Sequence, residues 1–198
     1  MRTADVTMPP RPQGFTLIEL MVALAILALL LLLGMPSFTT FVRNSEVRST
    51  SESIINGLRA ATTKAANLNQ TVTFSLKGGE GASWTGWEIT YVDDDGVTQP
   101  IENYTKKEAG ANSQIKVTPP GKLLVRFNGL GRVVNQGGAD HIQSICIFIG
   151  SVGDPCVAVD EYHPLQIIVD DPNLDPTKRQ GLRMCDPAFA AATDPRGC

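Results

Sequence analysis

The longest uninterrupted hydrophobic stretch of the chain lies close to its N-terminus. Residues 15–35 read FTLIELMVALAILALLLLLGM, and only Thr16, Glu19 and Gly34 among them are not apolar. A helix rises about 1.5 Å per residue, so this segment would span about 31 Å, close to the roughly 30 Å hydrocarbon core of a bilayer. The pattern therefore predicts a membrane-spanning helix.

Two other kinds of N-terminal segment share this pattern, a secretory signal peptide and a simple single-span anchor. A signal peptide has a basic start, an apolar stretch of about 7–15 residues and a small-residue cleavage site. Here the apolar stretch is longer, and the residues from Gly34 to Ser37 form a poor cleavage signal. Arg2 and Arg11 precede the stretch, which places that end in the cytoplasm.

One carboxylate, Glu19, interrupts the apolar stretch. A charged residue inside a membrane span costs about 2.5–3.5 kcal/mol on insertion scales, and such residues usually have a partner and a function. No Lys or Arg lies between Phe15 and Phe41 to neutralise Glu19. Cleavage after Gly14 would create a free amine on Phe15 that is able to pair with Glu19 of an adjacent copy. Such a charge would set the stagger between subunits of an assembly.

These residues resemble the class III signal of type IV pilins and type II secretion pseudopilins. The motif is Gly14-Phe15-Thr16-Leu17-Ile18-Glu19, followed by the apolar run and Pro36. In that family a prepilin peptidase cuts after the glycine and methylates the new N-terminal residue. The resemblance implies that residues 1–14 are a leader peptide, that Phe15 becomes N-methylated, and that Glu19 guides subunit docking.

Gly34 and Pro36 mark a weak point in the predicted helix. Proline cannot donate to the helical hydrogen-bond ladder, and its ring clashes with the preceding turn. In filaments of the family that this chain resembles, the helix is often unwound near this position. A simple kink at the membrane exit is the alternative interpretation.

Helical periodicity continues beyond Pro36. Apolar residues recur at helical spacing with polar residues between them, at Val47, Ile54, Leu58, Ala61 and Ala65. The pattern predicts an amphipathic helix with one apolar stripe. It should end near Asn67, which gives one long helix over residues 15–67 with its membrane-spanning half at 15–35. The second half needs a sheet to cover its stripe.

Residues 68–198 read as a β-rich domain. Strand-like runs occupy Thr71–Leu76, Trp84–Val92, Ile115–Thr118, Leu123–Phe127, Arg132–Val134, Ile142–Ile149, Leu165–Val169 and, weakly, Gly181–Cys185. Asp93-Asp94-Asp95-Gly96 reads as a hairpin turn. No helical pattern alternates with the strands, which disfavours a parallel sheet. The expected fold is α+β, with a long N-terminal helix packed on an antiparallel sheet or pair of sheets.

The chain has four cysteines, Cys146, Cys156, Cys185 and Cys198. They form no C-x-x-C pair, and the histidines do not complete a zinc spacing. If the domain lies outside the cytoplasm, disulfides persist there. Of the three connectivities, we favour Cys146–Cys156 and Cys185–Cys198, because both close short loops containing Pro and Gly. Free buried thiols are the alternative.

The sequence contains no signature of an enzyme, metal site or cofactor. It lacks the G-x-S-x-G, H-E-x-x-H and phosphate-loop motifs. The acidic run Asp93–Asp95 lacks the alternating ligands and the final Glu of a calcium loop, so we interpret it as a turn. His141 and His163 lie beside turn-like sequence and read as surface or packing residues rather than general bases.

The C-terminal tail is a basic spot on a chain whose net charge is −3. Its sequence, with Cys-Asp-Pro followed by Asp-Pro-Arg-Gly-Cys, resembles the C-terminus of GspH/FimT minor pilins, as does the tryptophan-led hairpin that begins at Trp87. Some members of that family bind DNA through Gly-Arg-x-Arg. With Gly181 aligned, Leu182 and Met184 stand in place of the two arginines. Two interpretations of the basic side chains stay open: they contact DNA, or they only solubilise a disulfide loop. These side chains are Lys178, Arg179, Arg183 and Arg196.

The resemblance as a whole implies a minor pilin of a type IV pilus system, placed at or near the filament tip, that helps to initiate assembly. A DNA-binding minor pilin for natural transformation and a type II secretion pseudopilin are the alternatives. The implied partners are other pilins through the N-terminal helix, prepilin peptidase, and the inner membrane before assembly. The implied location is a single pass through the inner membrane, with the C-terminal domain in the periplasm, followed by assembly into an extracellular pilus.

Overall fold

The computed structural model describes residues 14–106, 111–150, 156, 164–170, 182–187 and 197–198, with the backbone alone at 33–37. The chain divides into two compact units, Met1–Thr39 and Thr40–Cys198. The described elements are one helix, α1 (Leu17–Leu68), and the strands β1 (Val72–Lys77), β2 (Gly86–Val92), β3 (Thr98–Thr105), β4 (Gln114–Thr118), β5 (Leu124–Phe127), β6 (Ser144–Phe148), β7 (Leu165–Ile168) and β8 (Arg183–Cys185).

Helix α1 ends one residue beyond the predicted position, in a Schellman-type cap. Asn69 has a positive φ of 50°, a conformation that Asn adopts more readily than most residues. The Asn69 N–H donates to the Ala66 carbonyl at 3.4 Å, and the Gln70 N–H donates to the Ala65 carbonyl at 3.3 Å. These bonds satisfy carbonyls that the helix end would otherwise leave without donors.

The predicted apolar stripe of α1 is buried. All five of its members lie in one hydrophobic core together with side chains from both sheets: Val47, Ile54, Leu58, Ala61 and Ala65. The second unit therefore has the predicted α+β arrangement, in which the amphipathic part of the helix packs on antiparallel sheets.

Two four-stranded antiparallel sheets complete the second unit. The first has the strand order β3-β2-β1-β5 and the second has the order β4-β6-β7-β8. In the first, Phe74 of β1 lies opposite Ile89 of β2 and Val125 of β5. In the second, β6 lies between β4 and β7, and four of its five residues are buried.

A row of aromatic rings crosses the first sheet from β1 to β3. The ring centroids of Phe74 and Trp87 are 5.7 Å apart, and those of Trp87 and Tyr104 are 5.9 Å apart. The Trp87 Nε1–H donates to the Ser53 hydroxyl of α1 at 3.2 Å. Gly57 lets the helix approach these rings, since a Cβ at this position would lie 2.8 Å from a Trp87 ring atom. The tryptophan therefore fixes how the helix packs on the sheet.

The prediction missed strand β3. Its sequence, TQPIENYT, is polar and contains Pro100, and most of its side chains are exposed because it forms the edge of its sheet. Pro100 is tolerated there because one side of an edge strand makes no ladder hydrogen bonds. Ile89 lies opposite Glu102, and Thr90 lies opposite Pro100, so the register skips Ile101. This bulge interrupts the edge, a common protection against unwanted strand pairing.

The predicted strand over Arg132–Val134 is wrong. Val133 makes a single bridge to Phe127 and does not extend into a ladder. The Asn128 N–H donates to the Arg132 carbonyl at 2.8 Å, which closes a tight turn. Asn135 then has a positive φ of 57°, so the chain leaves the extended conformation almost at once. The other predicted strands are present, with ends that differ by a few residues.

Candidate functional site at the start of helix α1

The predicted cleavage site lies outside the helix. Gly14, Phe15 and Thr16 have no regular secondary structure and precede Leu17, where α1 begins, two residues later than predicted. The Phe15 side chain is 86% exposed, and a Cβ at Gly14 would meet no atom within 4 Å. None of the residues that the structure describes therefore covers the Gly14–Phe15 peptide bond. Its cleavage and the methylation of Phe15 stay predictions.

Thr16 caps the N-terminus of α1. Its hydroxyl oxygen accepts a hydrogen bond from the Glu19 N–H at 3.3 Å, and its carbonyl accepts one from the Leu20 N–H at 3.1 Å. Thr followed three residues later by Glu is the sequence spacing of a capping box. Thr16 is part of the cleavage motif, and its spacing to Glu19 is also the signal of this cap.

The Glu19 carboxylate lies in the first turn of α1 and is exposed. Within the described part of the chain, no Lys, Arg or His forms an ion pair with it. A carboxylate in the first turn interacts favourably with the helix dipole, by about 0.3–1 kcal/mol. The helix itself therefore offsets part of the cost of this charge, in addition to the predicted amine of a neighbouring subunit.

Among the described residues of the first unit, apolar side chains lie on all sides of the helix. We call residues 17–32 the apolar segment. Its large side chains range from 51% exposed at Val22 to 81% exposed at Leu17. A helix that is apolar all round is normally buried in its functional state. The apolar segment is therefore a candidate surface for contacts with other helices.

The structure does not confirm the predicted membrane span over residues 15–35. Among the residues whose side chains it describes, no helix combines the length and the apolarity that crossing a membrane requires. The backbone is helical through Gly34 and Pro36, so α1 is continuous in the single subunit. Unwinding at these two residues within a filament stays a prediction.

Both favoured disulfides are present. Cys146 of β6 is bonded to Cys156, and Cys185 of β8 is bonded to Cys198. Beside the second disulfide, Asp186 and Gly197 form a parallel bridge. The end of the chain is therefore tied to the last strand of the second sheet, as the short-loop argument predicted.

The structure describes one of the four basic residues of the tail. Arg183 is exposed on β8, the last strand of its sheet. Lys178, Arg179 and Arg196 lie outside the described residues. The predicted DNA contact is therefore not tested.

The acidic run and His141 have structural partners. Asp93 accepts hydrogen bonds from the Gln99 side chain and the Val97 N–H, both at 2.8 Å, and these bonds lower the pKa of its carboxyl. This confirms the turn that joins β2 to β3. His141 is buried, so it is a packing residue, whereas His163 lies outside the described residues. No group of metal-ligating side chains occurs among the residues that the structure describes.

A buried carboxylate joins α1 to the segment before β4. Sequence reasoning did not predict this contact. Glu46 is 7% exposed and accepts hydrogen bonds from the Asn112 N–H at 2.6 Å and the Ser113 N–H at 3.2 Å. Lys106 donates to the Ser113 carbonyl at 2.7 Å and lies 5.5 Å from the Trp84 ring centroid. Burial lowers the pKa of Lys106, and Glu46 opposes that shift. A polar cavity of about 320 Å³ lies beside this joint.

Comparison with known proteins supports the N-terminal motif and the second unit separately. The prokaryotic N-terminal methylation motif matches residues 10–35, and the family described as type II transport protein GspH matches residues 50–160. No curated protein matches the chain.

Two solved structures are similar to the chain. The type IV minor pilin FimU of Pseudomonas aeruginosa is 14% identical, with a TM-score of 0.47, and the match covers 71% of this chain and 96% of FimU. The minor pseudopilin EpsH from the type 2 secretion system of Vibrio cholerae is 12% identical, with a TM-score of 0.48, and the match covers 73% of this chain and 99% of EpsH.

The family assignment follows from the two motif matches. The GspH family model covers more than half of the chain, and the methylation motif covers the segment around Phe15 and Glu19. Proteins of this kind are structural subunits and not enzymes. The chain therefore belongs to the GspH family of minor pilins and pseudopilins, found in type IV pilus and type II secretion systems.

Proposed function

We propose that this chain is a minor pilin of a type IV pilus, located at or near the filament tip, where it helps to initiate assembly. A prepilin peptidase removes residues 1–14 and methylates Phe15. The observation that carries the proposal is the apolar segment, whose large side chains are exposed on every side of the helix. Burying apolar surface contributes about 25 cal/mol per Å², so helix packing against other pilins would stabilise a filament.

Before assembly, the apolar segment would lie in the inner membrane as a single pass, with the second unit in the periplasm. The lipid would cover the same side chains that other pilins cover later. The basic residues Arg2 and Arg11 support this orientation, because positive charge remains on the cytoplasmic side. The two disulfides also fit an oxidising compartment outside the cytoplasm.

Glu19 would guide docking by meeting the Phe15 amine of an adjacent subunit. Its place in the first turn reduces the cost of the charge, while its exposure leaves the carboxylate open to a second molecule. The cleavage reaction would supply the amine, so that only processed copies could dock.

The experiment is substitution of Glu19 in the native host, with pilus number and leader cleavage measured in the same cells. Glu19→Ala should leave cleavage intact and reduce the number of pili. Glu19→Gln is the matched control, because it keeps the length of the side chain and removes its charge. It should impair assembly nearly as much if the charge is what docks. Normal pilus number in both variants would refute the docking role.

A type II secretion pseudopilin is the main alternative within the same family, and the description of the matched family favours it. The two functions differ in what the cell loses. Deletion of the gene should reduce pilus number and leave protein secretion unchanged if the proposal is right. The opposite pattern would assign the chain to a secretion filament.

DNA capture is a further candidate, supported by the exposed position of Arg183 on β8. Its test is the variant Arg179→Ala with Arg183→Ala in the processed protein. If the tail binds DNA, this change should lower DNA retention in gels, and the effect should weaken as salt rises because phosphate contacts are screened. Unchanged retention at every salt concentration would remove this function.

A further inference from the structure

Two cationic side chains line the polar cavity that lies beside the joint between α1 and β4. The cavity has a volume of about 320 Å³, and its wall includes Arg43 of α1 and Lys106, which follows β3. Asn112, Ser113 and Gln114 add amide and hydroxyl groups. Among the described residues that line the cavity, both charged side chains are therefore positive. Its volume lies at the lower end of the range for small-molecule sites, which begins at about 300 Å³.

Hydrogen bonds hold the parts of the fold that carry these two cations. The Lys106 N–H donates to the Thr85 carbonyl at 2.8 Å, and the Lys106 ammonium donates to the Ser113 carbonyl at 2.7 Å. Arg43 lies three residues before Glu46, and residues at this spacing are neighbours on a helix surface. Glu46 in turn binds the segment before β4. The cavity is therefore formed by the folded domain before any ligand arrives.

The Glu46 carboxylate is the acidic group that the hydrogen bonds place beside this cavity. Its Oε1 atom accepts the Asn112 and Ser113 N–H groups, and its Oε2 atom is 3.3 Å from the Asn112 side-chain nitrogen. One carboxylate that already binds these groups stands beside two cations. Burial lowers the pKa of Lys106 because it disfavours the charged ammonium, and Glu46 only opposes this shift. An anion in the cavity would therefore stabilise the Lys106 charge.

We propose that the cavity is a binding site for a phosphate group, held by Arg43 and Lys106. A guanidinium has five N–H donors and an ammonium has three, so both can bind a ligand and keep their other contacts. A guanidinium forms paired hydrogen bonds to phosphate oxygens, and an ammonium adds a compact charge. The Gln114 amide would supply a further donor. This donor set is larger than the two oxygens of a carboxylate need, whereas a phosphate group offers three acceptor oxygens or more.

The phosphate group could come from two sources. One is free phosphate in the surrounding solution, and the other is the headgroup of a phospholipid in the membrane. The lipid source rests on the proposed function, in which the apolar segment lies in the inner membrane before assembly. The site itself does not, because every residue that lines it belongs to the second unit.

The test is isothermal titration calorimetry of the full chain in a neutral detergent with inorganic phosphate. Wild-type protein should show saturable binding. Arg43→Gln and Lys106→Gln keep an N–H donor but lose the charge, so each should raise the Kd by about tenfold or more. Arg43 is exposed, so its variant does not require the fold to accept a change in the core.

The matched control is Arg48→Gln on the same helix. Arg48 pairs with Glu52 and is not among the residues that line the cavity, so this variant should leave the Kd unchanged. The inference would be overturned if wild-type protein showed no saturable binding, or if Arg48→Gln weakened binding as much as Arg43→Gln. Neither leader cleavage nor pilus formation enters this measurement, so such a result would leave the proposed function intact.

A second titration distinguishes the two sources of phosphate. In micelles that contain phosphatidylglycerol, a headgroup in the cavity would compete with inorganic phosphate and raise its Kd. Micelles with an equal amount of a fatty acid provide negative charge without a phosphate group, so they should not raise the Kd to the same extent. A rise with phosphatidylglycerol alone supports the lipid headgroup as the ligand. An unchanged Kd, or an equal rise with both additives, supports free phosphate.

Discussion

The Glu46 carboxylate accepts a hydrogen bond of 2.6 Å from the Asn112 backbone N–H, although the two residues are 66 positions apart in the chain. The Thr50 hydroxyl, about one helical turn further along α1, donates to the Ser113 hydroxyl at 3.1 Å. Two successive turns of the helix thus hold the segment that leads into β4. This joint is polar and lies beside the hydrophobic core that the stripe of α1 forms with the sheets.

Loss of the Glu46 carboxylate should destabilise the folded domain. Glu46→Ala leaves the Ser113 N–H buried without this acceptor, which costs about 1–3 kcal/mol for each such group. We expect the free energy of unfolding to fall by about 2–3 kcal/mol, and by less in Glu46→Gln, which keeps one oxygen acceptor. Urea unfolding of the full chain in detergent measures both values.

The control for this prediction is Glu52→Ala on the same helix. Glu52 pairs with Arg48 at 3.0 Å, but both side chains are at least half exposed, so its loss should change stability by less than about 1 kcal/mol. Equal effects of the two alanine variants would show that the Glu46 joint does not stabilise the domain.

Replacement of Gly57 should destabilise the packing of the helix on the aromatic row. A Cβ at this position would lie 2.8 and 2.9 Å from two Trp87 ring atoms and 3.0 Å from a Phe74 ring atom. Gly57→Ala gains about 1 kcal/mol in helix propensity, but overpacking of rigid rings costs about 1–3 kcal/mol, so we expect a net loss of stability. Thermal unfolding, followed by tryptophan fluorescence, measures the outcome.

The control for Gly57 is its exposed neighbour Asn56. Asn56→Ala gains helix propensity and meets no ring, so it should be neutral or slightly stabilising. A higher Tm for Gly57→Ala would mean that the rings move aside at little cost.

Removal of the Cys185–Cys198 disulfide should weaken the C-terminal end of the second sheet. The bond closes a loop with a sequence separation of 13 residues, which stabilises the fold by about 3 kcal/mol in the chain-entropy model. We expect the double variant Cys185→Ser with Cys198→Ser to have a free energy of unfolding that is lower by about 3 kcal/mol, as measured by urea unfolding. The matching variant at Cys146 and Cys156 provides the comparison, with a separation of 10 residues. An unchanged unfolding midpoint in the first variant would contradict this prediction.

Features that depend on local pattern could be predicted from the sequence. The stripe from Val47 to Ala65 follows helical periodicity, so its burial was predicted residue by residue. Strand β3 could not be found in this way, because an exposed edge strand needs no apolar alternation and tolerates Pro100. Thr16 carried a recognisable capping signal that the cleavage motif obscured.

Contacts between distant residues were beyond prediction from one sequence. Nothing near Glu46 in the sequence indicates that its acceptor oxygens meet Asn112 and Ser113. The same holds for His141. Its Nε2 atom lies 2.9 Å from Oδ2 of Asp170, which follows β7 and is far away in the sequence. These contacts depend on how the two sheets and the helix come together, which one sequence does not reveal.

The most direct test of the account is mass spectrometry of the protein purified from its native host. A processed filament subunit should begin at Phe15, carry one N-terminal methyl group and lack residues 1–14. This result would establish both the leader peptide and the amine that Glu19 is proposed to meet. A chain that retains residues 1–14 would contradict the account, because no free Phe15 amine would then exist for docking.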